Sequence, residues 1–100
     1  MGAAIVGITE NEADKIKLNA FPNPFSSSTQ IYYELSNYSN VTVAVYDVLG
    51  NKVETLTNNE MQPAGKHAVD FNAKDQAKGI YLVSVTIDGH TYAKRIVLAN

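Results

Sequence analysis

A chain of 100 residues, 45% hydrophobic and 18% charged, suits one folded domain with a single core and is too rich in apolar residues for disorder. Its formal net charge is -2 and its eight basic residues are scattered, so it lacks the electrostatic footprint of a phosphate-backbone binder and nucleic acid is not an expected partner. Cysteine is absent, which removes disulfides, thiolate metal sites and a cysteine nucleophile together.

The longest apolar stretch, near Ala3–Ile8, is far short of the ~20 residues that cross a bilayer, so no transmembrane segment is expected. No basic residue precedes it and no small-residue cleavage site follows, so it does not read as a signal peptide. Met1-Gly2 instead reads as a start added for expression to a piece of a longer protein. Residues 1–16 show no two-residue alternation and are polar over Thr9–Lys15, which predicts a linker or an added N-terminal segment. A capping box, Thr9 with Glu12 three residues on, offers the competing reading of a short helical turn.

From Lys17 onward the chain reads as strands parted by turn residues. In Gln30–Leu35, Ile31, Tyr33 and Leu35 share one face, opposite Gln30, Tyr32 and Glu34. Val41, Val43 and Val45 alternate with Thr42, Ala44 and Tyr46, and the apolar character of both faces suits a central strand. Tyr81, Val83, Val85 and Ile87 repeat the pattern. Weaker strands fit Lys17–Phe21, Lys52–Thr57, Lys66–Asn72 and Thr91–Ala99.

The turns agree with that count. Asp88-Gly89 between two alternating runs is a type I′ hairpin signal, because both central positions need positive φ. Gly50 fits a left-handed position in a slightly longer loop, and Pro63-Ala64-Gly65 marks another reversal. Pro22 and Pro24 donate no backbone hydrogen bond, so Phe21-Pro22-Asn23-Pro24-Phe25 is an edge or a kinked approach to a sheet. Gly79-Ile80-Tyr81 resembles a tyrosine corner, with the Tyr81 hydroxyl turned back to upstream backbone. The expected fold is all-β, an immunoglobulin-like or fibronectin-III-like antiparallel β-sandwich of about seven strands over 17–100.

Chemistry is hard to find in these residues. His67 and His90 are too few for a histidine-rich metal site and read as solvated side chains near turns. The ten carboxylates form no alternating calcium loop, and the glycines are accounted for by turns rather than by a phosphate-binding loop. No signature places a base beside a serine nucleophile. The expectation is therefore no catalytic residue, no metal and no cofactor. Two glycosylation sequons, at Asn37 and Asn40, match a pattern that is common by chance.

Four features in order carry a resemblance: Phe21-Pro22-Asn23-Pro24-Phe25, Val45-Tyr46-Asp47-Val48-Leu49-Gly50-Asn51-Lys52-Val53, Gly79-Ile80-Tyr81, and Lys94-Arg95-Ile96-Val97-Leu98 near the chain end. Together they resemble the C-terminal sorting domains, of type A, of the type IX (Por) secretion system of Bacteroidetes, over about residues 17–100. Asn51 stands where family members commonly carry arginine, and Ala99-Asn100 where the tail is often basic or apolar.

That resemblance implies a passenger protein joined N-terminally, carried from the periplasm across the outer membrane by a translocon that recognises this domain. A surface sortase then usually cleaves in or before residues 1–17, leaving the passenger at the cell surface or released. The implied recognition residues are Pro22, Asn23, Pro24, Asp47, Gly50, Gly79, Tyr81, Lys94, Arg95, Ile96, Val97 and Leu98. Lys94 and Arg95 are expected on opposite faces of the last strand, which would add to a partner sheet if it lay at an edge. Read without the resemblance, Pro22 and Pro24 protect a sheet edge, Gly50, Gly79 and Tyr81 specify the fold, and Lys94 and Arg95 are a solvated face.

Two other functions fit a sandwich. One is a carbohydrate-binding or adhesive accessory module of a secreted enzyme, using outward tyrosines such as Tyr32, Tyr38 and Tyr92, although tryptophan is absent. The other is a plain spacer. Exposed edge strands also leave room for a homodimer.

Overall fold

Alternation of β-branched and aromatic residues with polar ones commits most of the chain to strands that are buried on one face. The computed structural model describes residues 10–99. A 3-10 helix, Glu10–Ile16, precedes seven strands: β1 Asn19–Phe21, β2 Ser28–Leu35, β3 Ser39–Asp47, β4 Lys52–Gln62, β5 Gly65–Asn72, β6 Gly79–Ile87 and β7 His90–Leu98. They form two antiparallel sheets, one of three strands in the order β1-β2-β5 and one of four in the order β4-β3-β6-β7. The all-β sandwich with seven strands is as expected.

One apolar cluster lies between the sheets. The three-stranded sheet contributes Ile31, Tyr33, Leu35 and Phe71, and the four-stranded sheet Val41, Val43, Val45, Tyr81, Val83, Val85, Ile96 and Leu98. Val41, Val43, Val45, Val83 and Val85 are fully buried, and each such side chain is worth about 1.5–3 kcal/mol of transfer free energy. Strands β3 and β6 are therefore the central pair, joined in unbroken register from Val41↔Ile87 to Asp47↔Tyr81.

Turn chemistry holds as well. Asp88 and Gly89 both have positive φ, 49° and 88°, and Gly50 has φ 87°. Strand β4 is longer than its alternation suggested, because its pairing with β3 slips at three places. Asn59 takes a left-handed φ of 49° there, and its N–H is bonded by Thr42 Oγ1 at 3.0 Å. Each slip resets the two-residue period and hides the strand's second half from a pattern search.

The linker expected over 1–16 is corrected from Glu10 onward. Ala13 and Ile16 are buried in the core, and Leu18 N–H donates to Ala13 O at 2.9 Å. Two apolar residues three apart match the three-residue turn of a 3-10 helix, a pattern too short to stand out in the sequence. Outside the core, His90 Nε2 meets Glu12 Oε1 at 2.6 Å and ties the helix to the start of β7. Lys17, expected to begin a strand, lies in a turn at φ 52°. Residues 1–9, and with them the start of the capping box at Thr9, lie outside the described residues.

Because Ile16 fills core space, Ile16→Ala should cost about 2–3 kcal/mol in chemical denaturation. A value near zero would return this segment to the status of a linker.

Candidate functional site

The strand directions bring all four sequence motifs to one end of the sandwich. At that end β3 finishes at Asp47 opposite Tyr81 at the start of β6, and Gly79 stands opposite Leu98 at the end of β7. Phe25 bridges to Leu98 in parallel, which brings the Pro-Asn-Pro segment from the other sheet to the same place.

This segment is held by an amide that imitates a peptide group. Asn23 Oδ1 accepts from Val97 N–H at 3.0 Å while its Nδ2 donates to Arg95 O at 3.3 Å. Phe25 N–H then donates to Val97 O at 2.9 Å, and Ala99 N–H donates to Phe25 O at 2.8 Å. Pro22 O accepts from Thr29 Oγ1 at 2.7 Å. Pro22, Asn23 and Pro24 are exposed, whereas Phe25 is buried with its ring edge-on to Phe71. Two prolines flanking one asparagine suit this task, since they leave their own nitrogens undemanding and let the asparagine side chain supply the bonds.

The outer edge of β7 is thus covered over its second half. Strand β7 does lie at a sheet edge, the condition set for strand addition, but over Arg95–Ala99 its outward backbone groups already pair with Asn23 and Phe25.

Asp47 organises the β3–β4 turn. Its Oδ1 accepts from the N–H groups of Leu49 and Asn51, each at 2.9 Å, and its backbone pairs with Asn51 O and Gly50 N. These bonds, led by the one from Asn51, hold the carboxyl below its ordinary value because they favour the charged form. Gly50 supplies the left-handed conformation that closes the turn. With the ends fixed, Val48 and Leu49 are pushed into solvent at 63% and 68% exposure.

Tyr81 forms the expected tyrosine corner: its hydroxyl donates to Ala77 O, four residues upstream, and its ring is buried. Along β7, Lys94 and Arg95 point to opposite faces as expected, Lys94 half-buried and Arg95 exposed. Ile96 and Leu98 belong to the core, and Val97 is half-buried. Most of the singled-out residues therefore hold the end of the sandwich together. The side chains this frame displays were not singled out: Phe21, Val48, Leu49 and Ile80, all exposed apolar groups at the same end. Leu49 and Ile80 beside glycines, and Phe21 beside a proline, were the available signal.

Elsewhere, the two histidines are less solvated than expected. His67 is half-buried, stacked on Tyr33 with ring centroids 5.4 Å apart, and its Nε2 lies 2.7 Å from Pro63 O. His90 is exposed but engaged by Glu12. Among the described residues no group of three or more His, Asp or Glu side chains is placed to hold a metal ion. Of the tyrosines considered for sugar binding, Tyr32 and Tyr38 face outward, but Tyr92 packs partly against the core.

The family model described as the secretion system C-terminal sorting domain matches residues 19–99. No curated protein matches the chain.

Two expectations follow from the geometry. Asn23→Ala removes both bonds to β7 and should cost about 1 kcal/mol in urea unfolding, with a native-like circular dichroism spectrum. Asp47 has a depressed folded value, so its contribution is present above its unfolded value and lost as pH falls through the folded one. Stability measured from pH 7 down to pH 2 should accordingly fall less steeply in Asp47→Asn than in the parent; equal slopes would remove Asp47 from the acid dependence.

Proposed function

The chain belongs to the family of secretion system C-terminal sorting domains, and from that premise we propose that it is the export signal by which the type IX machinery carries an N-terminally joined passenger from the periplasm across the outer membrane. A surface sortase then removes it, cleaving upstream of the helix that packs Ala13 and Ile16 into the core. Its partners are the translocon, the sortase and the passenger, and its destination is the cell surface or the medium.

The observation that carries this reading is the convergence of four separate sequence motifs on one end of the fold, with Phe21, Val48, Leu49 and Ile80 exposed among them. Pro22, Asn23, Pro24, Asp47, Gly50, Gly79 and Tyr81 act as the frame that presents these side chains. Lys94 and the buried Ile96 and Leu98 act through the last strand's placement, while Arg95 and Val97 border the recognition surface. A rigid frame suits a signal, because ordering a loose peptide on binding costs several kcal/mol of the interaction energy. Apolar tips fixed by turns also give binding area without that ordering cost. The proposed role is recognition and not catalysis.

Fusing the whole chain to a reporter that carries a signal peptide, in a type IX-competent bacterium, tests this. The parent fusion should reach the medium or surface, and Val48→Ser/Leu49→Ser should hold it in the periplasm with an unchanged melting temperature. Equal export of the variant would move recognition away from this end. Periplasmic retention of a folded parent would remove the sorting role altogether. Point variants are preferable to deleting Lys94–Asn100, which would strip Ile96 and Leu98 from the core.

A further inference from the structure

The Asn23–Phe25 segment closes one side of the sandwich. On the other side lie the outer edges of β4 and β5. Strand β4 is a poor template, with three slips in its pairing and Asn59 in a left-handed conformation. Strand β5 is regular: all eight of its residues pair with β2 without a break, from Gly65↔Leu35 to Asn72↔Ser28.

The register fixes which backbone groups of β5 face outward. Ala73 N–H donates to Ser27 O, which makes 27 and 73 a hydrogen-bonded pair and, by alternation, makes the odd residues of β5 the ones bonded to β2. Lys66, Ala68, Asp70 and Asn72 therefore turn their N–H and C=O groups away from the sheet. Their side chains are exposed on its outer face. Among the described residues no strand pairs with this edge, and a regular edge of this kind accepts another strand.

We propose that the partner of this edge is a second copy of the chain, with two β5 strands pairing antiparallel about a two-fold axis at Ala68. The argument is charge complementarity. In this register Lys66 stands opposite Asp70 of the second copy and Asp70 opposite its Lys66, while Ala68 meets Ala68. Each of these is a hydrogen-bonded pair, since all three residues present outward backbone groups. Moving the axis to Lys66 sets lysine against lysine, and moving it to Asp70 sets aspartate against aspartate and Lys66 against Lys74. Axes at His67 or Val69 leave both charges facing neutral residues. Directly opposed opposite charges stabilise a pair of strands and like charges oppose it, so the sequence of β5 selects one register.

The resulting sheet would run β1-β2-β5-β5-β2-β1 through both copies. Half-buried Val69 and His67 gain cover at the join, on the face that looks into the core. Tyr32, aligned with Ala68 in the β2–β5 register, flanks the two small alanines on the outer face. The joined edge is opposite the side closed by Asn23, so pairing leaves the motif end of each copy accessible. Contact along one short strand predicts a weak, reversible dimer.

Sedimentation velocity of the whole chain over a concentration series up to about 1 mM tests the proposal. The parent should show concentration-dependent dimer. Asp70→Lys should weaken it at least about tenfold, because two attractive pairs become repulsive, and Lys66→Asp/Asp70→Lys should recover it. Ala68→Pro, which removes an outward N–H that the monomer does not use, should abolish it with the fold intact by circular dichroism. A parent that stays monomeric throughout, or a dimer indifferent to both Asp70→Lys and Ala68→Pro, overturns the proposal.

Discussion

Everything at the motif end depends on the join between the two sheets made by Asn23 and Phe25. The sheets face each other across an apolar core, which is non-directional and tolerates sliding. The Asn23 amide and the Phe25 peptide group are directional, and they attach the β1–β2 connection of one sheet to the β7 edge of the other. This attachment sets where β7 ends relative to β1, and hence where the β3–β4 turn and the start of β6 lie. It also satisfies backbone groups that an edge strand would leave open.

A division of labour follows. Asp47, Gly50, Tyr81 and Asn23 spend their polar groups on bonds within the fold, so few of them are left to meet a partner. What they produce is a fixed rim from which short apolar side chains project. Val48 and Leu49 are exposed because Asp47 closes the turn beneath them, leaving two positions at its tip with no inward face.

The same logic distinguishes the two sides of the sandwich. The β7 side is sealed by a segment of the chain itself, and β4 is roughened by slips in its pairing. Strand β5 carries neither device. Lysine on an edge ordinarily discourages pairing, but an aspartate four residues away on the same face turns that deterrent into a register.

Much of this was legible in the residues. Alternation located β2, β3 and β6, glycine and proline located the turns, and four short motifs carried the family resemblance, because each rests on periods or steric demands confined to a few neighbours. Three things escaped. The 3-10 helix contributes Ala13 and Ile16 to the core, too brief a period to read. The second half of β4 was hidden by its slips. The cover of the β7 edge comes from Asn23, more than seventy residues away in the chain. Local sterics and side-chain alternation decide most strands and reversals, so the residues alone were enough to place those. Only the tertiary structure decided which edges are closed, which apolar side chains remain exposed and that all four motifs share one end, since those follow from the directions in which distant strands are paired.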